Sequence, residues 1–570
     1  MPSFDIEAKP DLQKIDNLIN TVKREIDNRY DFRAYHTTIE LDKKQKLVKI
    51  ETDYALGIEQ IEELLLTRAS KQGVNIYAFD RTMEPYPSGK MMKKEIKIVE
   101  GIAKEKAKKI VELVKKSGIR GTIGGNTGEN LTPPDITQLV VAYTAMIKEK
   151  FPGKKLKVVI GRDARVSGEA LASMVKGILA LCGIDVVDAG LATTPTVEMA
   201  VTASQSDGGI ILTASHNPAE WNALKLLNER GEFISAEDGN RLLQLIEQKT
   251  FLFPGVNDLG NISGQDFLEY HINSIVNHSL VDKKAIEQSG FRIVVDPVNS
   301  VGSIVVPALL KSLGVKEVIM INDEPNGRFN HNPEPLPEHL KDLSMAVKQH
   351  KAHLGISVDP DVDRLALVCE DGSMFGEEYT LVAVADYVLQ HRKGPAVSNL
   401  SSSQALKDIA LKHGCEYYSA AVGEVNVVKK MKETGAVIGG EGNGGVILPD
   451  LHYGRDALAG IALFLSYLAK LPSRSMIELK NSYPSYVMIK DKIPLGSLSF
   501  DGILKDKIKN SFSQATFNEE DGLKIILENS KQWIHIRPSN TEPILRIYAE
   551  GPDEMSLKKL LDEFKNLLNT

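Results

Sequence analysis

Apolar residues fall at Leu12, Ile15, Ile19, Val22 and Ile26, the spacing of one face of an amphipathic helix. The period then drops to two in TTIEL and LVKIE, which predicts strands. With SFDI ahead of them, a helix around Gly57 to Gln72, strands NIYAF and EIKIV, and the basic helix GIAKEKAKKIVELVKK, residues 1–116 predict a small α+β unit of ferredoxin-like order. Beyond Ser117 the pattern changes to continuous apolar strands separated by helices. KVVIGRD, a helix through Met174 and Leu179, IDVVDAG and GGIILTA form a first block; FRIVVDPV to ISVDPDVDRLALV and PAVSNL to AVIGGEGNGGVI form two more. Such alternation predicts parallel sheets in α/β domains. The end differs again, with antiparallel strands WIHIRP and ILRIYAEG before a last helix. The expected fold class is α/β, with domains at 117–270, 271–378 and 379–482, a smaller α+β domain at 483–570, and the front unit at 1–116.

Length and charge narrow the function. A chain of 570 residues exceeds one core. The longest apolar stretch, Ala457 to Leu468, is too short to span a bilayer, and MPSFDIEAKP has no apolar signal region. No membrane is expected as a partner, and the cytoplasm is the expected compartment. Cys182, Cys369 and Cys415 lack the spacing of a disulfide framework or zinc site. Residues 1–116 hold 23 Lys/Arg against 20 Asp/Glu, leaving 46 against 56 for the rest. An acidic body with scattered bases argues against a nucleic-acid enzyme, which needs a clustered basic face.

Three stretches carry candidate chemistry. In SVDPDVDR, Asp359, Asp361 and Asp363 alternate at a strand's end, so an extended backbone turns all three carboxylates to one side. Their mutual repulsion calls for a hard divalent cation such as Mg²⁺. An EF-hand would use Glu370 at its twelfth position but needs glycine where Arg364 stands, and its flanks should be helices. In ILTASHNPAEWNALK, Ser215 and His216 end an apolar strand without the GxSxG elbow of a hydrolase, and an ordinary turn is the plain alternative. A serine near Mg²⁺ can hold a phosphoryl group. In WIHIRPSNTEP, Arg537, Ser539, Asn540 and Thr541 gather a cation and short donors suited to a phosphate monoester, or else a simple turn. Gly440, Gly442 and Gly445 have dinucleotide-motif spacing, but Pro449 and a β-rich run follow where a helix is required. These glycines instead predict close backbone approach to a polar ligand, with Glu441 and Asn443 as hydrogen-bonding arms.

Taken in order, SGIRGT, TASHNP, DPDVDR with GGEGNGG, and RPSNTEP resemble the phosphohexomutase superfamily over residues 117–570, most closely the phosphoglucosamine mutases. The resemblance implies four domains around one cleft, sugar phosphates as small-molecule partners, Mg²⁺ as cofactor and a hexosamine bisphosphate as primer. It implies phosphorylation of Ser215, Mg²⁺ held by Ser215 and the three aspartates, and Arg120 and Lys225 flanking the transferred group. Arg364, Glu441 and Asn443 would contact the sugar; Arg537, Ser539, Asn540 and Thr541 the non-reacting phosphate. Many relatives carry His where Gly445 stands, leaving His216, Lys225 or His452 to handle the proton. Residues 1–116 resemble the YajQ-like nucleotide-binding family, cut short after the last helix, which implies a nucleotide partner there. The reading left open is a glucose or mannose phosphate mutase, or a nucleotide-responsive protein with a regulated mutase body.

Overall fold

A computed structural model describes residues 12–98 and 118–569, apart from 30–31, 33–34, 44, 55–56, 72–73, 75–78, 81–82, 90, 249–250, 495–499, 501 and 539–543. The chain divides into two compact units, Met1–Val111 and Glu112–Thr570.

In the front unit the predicted helix spans Leu12–Asn28 and buries Ile15, Leu18, Ile19, Val22 and Ile26. Strands Thr37–Asp42 and Leu47–Thr52 pair antiparallel, followed across the sheet by Met91–Ile98 and Phe79–Asp80; Tyr86–Ser88 also pairs with Met91–Ile98. Helix Gly57–Lys71 adds Ile58, Ile61 and Leu65 to the same core. The predicted SFDI strand and the basic helix over 101–116 lie outside the described residues, as does NIYAF except for Phe79.

The second unit contains one sheet plan three times. Strands Lys157–Arg162, Asp185–Leu191, Gly208–Leu212 and Trp221–Leu227 lie in spatial order second, first, third, fourth, the first three parallel and the last antiparallel. Arg292–Asp296, Glu317–Met320, Leu354–Val358 and Leu365–Cys369 repeat that order, as do Ala396–Asn399, Tyr417–Ala420, Ile438–Glu441 and Gly445–Ile447. The first sheet gains Ile262–Gly264 at one edge and Gly118–Thr122 at the other. In every copy the loop between the third and fourth strands carries candidate chemistry: TASHNPAE, DPDVDR and GNG. Each leaves the carboxyl end of a parallel strand, where open α/β sheets place ligands. The last sheet is antiparallel throughout, with Val487–Pro494, Ile544–Gly551, Gln532–Pro538, Leu523–Leu527 and Thr516–Asn518 in that order. Helices Gly502–Ser511 and Glu554–Asn569 supply Leu504, Ile508, Leu557 and Phe564 to its core.

Candidate active site

The Ser215 loop is shaped by one buried cation. The Arg165 guanidinium donates to the carbonyl oxygens of Ser215 (2.5 Å), Asn217 (2.6 Å), Pro218 (2.6 Å) and Trp221 (3.0 Å). Its own charge is met by Asp163, whose carboxylate also accepts from Thr213 Oγ1. Thr213 Oγ1 in turn accepts from the Ser215 N–H at 2.9 Å. Held from both sides, Ser215 sits at φ +50°, a conformation that costs a non-glycine residue about 1–3 kcal/mol. The result is a fixed direction for its hydroxyl, which donates to Asp359 Oδ2 at 2.6 Å.

Asp359, Asp361 and Asp363 are fully buried, and one oxygen of each lies within 4.8 Å of the others. The turn closes on itself: Asp359 Oδ1 accepts the N–H groups of Asp363 and Arg364, and Val362 takes φ +60° between them. Asp361 Oδ2 accepts from Thr194 Oγ1 (2.6 Å) and Lys225 Nζ (2.7 Å); Asp363 Oδ2 accepts from Arg455 (2.6 Å). Burial, then Asp363 and Asp361, drives the Asp359 carboxyl well above the usual range. Against the same burial, Lys225 and the Thr194 hydroxyl hold Asp361 below it. Asp361 Oδ1 and Asp363 Oδ1 are buried without a hydrogen-bond partner. Two orphaned carboxylate oxygens beside a serine hydroxyl are a donor set that fits an oxygen-seeking divalent cation such as Mg²⁺.

A cavity of about 380 Å³ opens over this cluster, lined by Arg120, Ser215, His216, Lys225, Arg364, Glu441 and Arg537, all selected from the sequence. His216 Nδ1 lies 3.4 Å from Ser215 Oγ. Burial first, then Arg364, Arg120 and Arg455, pushes that imidazole down to about 2, so it is neutral. Lys225 stays charged: burial opposes it, but Asp361 and Asp363 raise its affinity for the proton. Arg120 reaches Asn217 Oδ1 at 2.8 Å. The Nε atoms of Arg364 and Arg537 are buried without a hydrogen-bond partner, in two cationic side chains that line a cavity suited to an anion.

Other predicted residues are placed differently. Asn443 folds onto its own turn, its Oδ1 accepting the Gly445 N–H at 3.3 Å. Ser539, Asn540 and Thr541 lie outside the described residues. His452 does not line the cavity but packs between Glu198 and Asp456. Glu370, the twelfth position of the rejected calcium loop, instead accepts N–H and hydroxyl donors at the start of helix Met476–Asn481. The glycine-rich run leads into strand Gly445–Ile447, not the helix a dinucleotide site requires.

Arg455 and Glu424 are the main residues that the sequence reading missed. Both line the cavity, and the Arg455 guanidinium joins Asp363, Glu424 (3.0 Å) and Glu441 (2.8 Å). Arg455 also explains Gly445, since a Cβ there would lie 2.4 Å from Arg455 Cδ. A signal was available: GRDA occurs twice, at 161–164 and 454–457, and both copies end in buried charge clusters.

Comparison with known proteins agrees with this geometry. Phosphoglucomutase/phosphomannomutase models match in order: alpha/beta/alpha domain I at 111–253, domain II at 269–372, domain III at 376–486 and the C-terminal domain at 498–567. A nucleotide-binding protein YajQ-like model matches residues 2–127. A phosphoglucomutase/phosphomannomutase of Thermococcus kodakarensis is 34% identical over 447 residues, 78% of this chain and 96% of that one. A phosphoglucosamine/phosphogalactosamine mutase of Sulfurisphaera tokodaii is 32% identical over 460 residues, 79% and 98% of the two chains. The crystal structure of a phosphoglucomutase/phosphomannomutase family protein from Burkholderia thailandensis superposes with a TM-score of 0.70 at 27% identity, covering 80% of this chain and 97% of that one. Among the described residues no helix is long and apolar enough to cross a membrane. With four domain models matched in sequence order and relatives aligned over nearly their whole length, this chain belongs to the phosphoglucomutase/phosphomannomutase family, an isomerase fold preceded by a YajQ-like domain.

Proposed function

We propose that the enzyme interconverts glucosamine 6-phosphate and glucosamine 1-phosphate through a phosphorylated Ser215 and a hexosamine bisphosphate, which also serves as primer. The observation that carries this reading is the 2.6 Å contact of Ser215 Oγ with Asp359 under a cavity lined by Arg120, Lys225, Arg364 and Arg537. The Oγ–P bond of phosphoserine breaks as a sugar hydroxyl oxygen bonds to phosphorus, and the proton that hydroxyl loses ends on the departing Ser215 Oγ. His216 is the nearest nitrogen base to Ser215 Oγ in the sequence-predicted set. Arg120 and Lys225 flank the moving phosphoryl, Arg537 with Ser539, Asn540 and Thr541 grips the phosphate that does not react, and the sugar then turns so that its other phosphate returns to Ser215. Mg²⁺ held by Ser215 and the three aspartates would supply charge neutralisation on the phosphoryl oxygens.

The amino sugar is favoured by the names of relatives and by the negative charge that Glu441 and Glu424, both paired with Arg455, bring to the cavity wall facing an ammonium group. Arg364 and the amide NH₂ of Asn443, whose oxygen is spent on the Gly445 N–H, complete the expected sugar contacts. A panel of hexose and hexosamine 1-phosphates with Mg²⁺ and bisphosphate primer ranks the substrates. Higher kcat/KM for glucose or mannose phosphate than for glucosamine phosphate rejects the amino-sugar assignment. The family likeness of the front unit supports a nucleotide ligand there. Calorimetry of the full chain with guanine dinucleotides and adenine nucleotides tests it, and no heat with any of them rejects it.

A further inference from the structure

A second polar cluster lies away from the cavity. It joins helix Thr194–Ala203, helix Leu268–Val276 and the segment leading into helix Ala457–Lys470. His271 Nε2 and His452 Nε2 approach the same oxygen, Asp456 Oδ2, at 2.9 and 3.3 Å. On the far sides of the rings, His271 Nδ1 meets Thr196 Oγ1 at 2.9 Å and His452 Nδ1 faces Glu198 Oε2 at 3.2 Å. His271, Asp456 and Glu198 are at most 2% exposed.

Hydrogen bonds between neutral rings and carboxylates do not close this network. A neutral imidazole has one N–H. If His452 spends it on Asp456, a bare Nδ1 lone pair faces the Glu198 carboxylate. If it spends it on Glu198, a bare Nε2 lone pair faces Asp456. Both Glu198 oxygens and His452 Nδ1 are indeed buried without a hydrogen-bond partner. Without an ion the network closes by a proton, for burial pushes the Glu198 carboxyl up to about 8 and, against burial, Asp456 and Glu198 raise the His452 imidazole to about 10. One ion at the meeting point of the two Nε2 atoms and Asp456 Oδ2 supplies the same positive charge. Both Nε2 lone pairs then point to the ion, while both Nδ1–H groups donate outward, to Thr196 and Glu198. That is how metal-ligating histidines are usually oriented. Ligands about 2.0–2.1 Å from a tetrahedral ion stand about 3–3.5 Å apart, close to the two Nε2–Oδ2 separations, and all three ligand atoms lie within 4.8 Å of one another.

We propose that His271, His452 and Asp456 form a three-ligand site for a zinc-class divalent cation, distinct from the Asp359, Asp361 and Asp363 cluster. Two imidazoles and one carboxylate suit Zn²⁺ over Mg²⁺, which prefers an all-oxygen shell. The ion joins two segments directly, and through the outer Nδ1 atoms it orients Thr196 and Glu198 of the helix whose Thr194 hydroxyl meets Asp361.

The test uses the full chain, incubated with one equivalent of Zn²⁺ in excess Mg²⁺, desalted and assayed by mass spectrometry for elemental content. Wild type and Asp361→Asn are expected to retain about one zinc per chain, and His271→Gln and His452→Gln less than about a tenth of that. Zinc that follows Asp361 instead of the histidines overturns the site. So does failure of wild type to retain zinc, which leaves an extra proton on His452 as the remedy. Co²⁺ loading of the wild type gives a readout that needs no folded variant: absence of the intense visible bands of a low-coordinate, nitrogen-ligated cobalt also overturns it.

Discussion

The Ser215 loop and the Gly442–Gly444 loop occupy the same place in two copies of one sheet plan, yet they are fixed by opposite means. Around Ser215 the backbone is held by hydrogen bonds to four carbonyls from a single arginine, and a non-glycine residue is kept at positive φ. Around Gly442 and Gly444 single hydrogen bonds, from the Gly442 N–H to Ser402 Oγ and from the Leu365 N–H to the Gly444 carbonyl, are joined by close contact. A Cβ on Gly442 would lie 1.9 Å from the Glu378 carboxylate, and one on Gly444 would lie 2.2 Å from the Leu365 carbonyl oxygen. A loop that must aim a nucleophile is pinned by directional bonds. A loop packed backbone-first against its neighbours is cleared of side chains.

The difference can be broken first at its functional end. Ser215→Ala removes the phosphoryl carrier while leaving the Arg165 contacts, which are to backbone carbonyls. Mutase activity should fall by about 10⁴-fold or more, with no phosphate on the loop peptide by mass spectrometry and little change in unfolding midpoint. Retained turnover would detach the loop from the chemistry. Arg165→Met attacks the support instead. It strands Asp163 and four carbonyls in a buried site, a loss of about 3–5 kcal/mol by urea unfolding. It should also cut kcat by about 100-fold through misplacement of the hydroxyl.

At the contact-held loop the expected signature is different. Gly442→Ala collides with Glu378, so KM should rise by about tenfold while phosphorylation of Ser215 persists. Adding Glu378→Ala removes the collision and should restore most of the KM; no recovery in the double variant would mean that the glycine is not there for clearance. Glu378 carries no part of the proposed chemistry but accepts the Ser403 N–H at 2.8 Å, so the Glu378→Ala single variant, measured alongside, separates that loss from the steric term.

The same contrast sets what the sequence could reveal. The aspartates and Ser215 were legible because their chemistry is written within a few residues at strand ends, and the alternation of strand and helix gave the parallel sheets. Arg165, Thr194 and Arg455 were not, because each acts on a partner far along the chain: 50, 167 and 92 positions away for Ser215, Asp361 and Asp363. No local period marks such a pairing. Asn443 was read as an arm for the ligand because a glycine-rich loop with a polar residue has that pattern; what the pattern did not show is that its oxygen closes the loop's own turn, leaving the amide NH₂ as the arm. The threefold sheet order was also hidden, since strand order follows from packing and all three copies read only as alternation.

The second copy of the plan offers the finest test, at Val362. This residue is fully buried and sits at φ +60°, where a β-branched side chain is a genuine outlier. Val362→Ala keeps the left-handed strain and loses two carbons, about 1.6 kcal/mol of burial. Val362→Gly loses a third, about 0.8 kcal/mol more, and adds about 0.4–1 kcal/mol of unfolded-chain entropy. It also releases about 1–2 kcal/mol of left-handed strain. The terms nearly cancel, so the glycine variant should be no less stable than the alanine variant to within about 0.5 kcal/mol, where a glycine in an ordinary strand or helix falls behind alanine by about 1 kcal/mol. Chemical denaturation of the two variants side by side reads the difference directly. A glycine deficit of the ordinary size would mean that the turn holding Asp361 and Asp363 is relaxed, and that the metal loop, unlike the Ser215 loop, is shaped without stored strain.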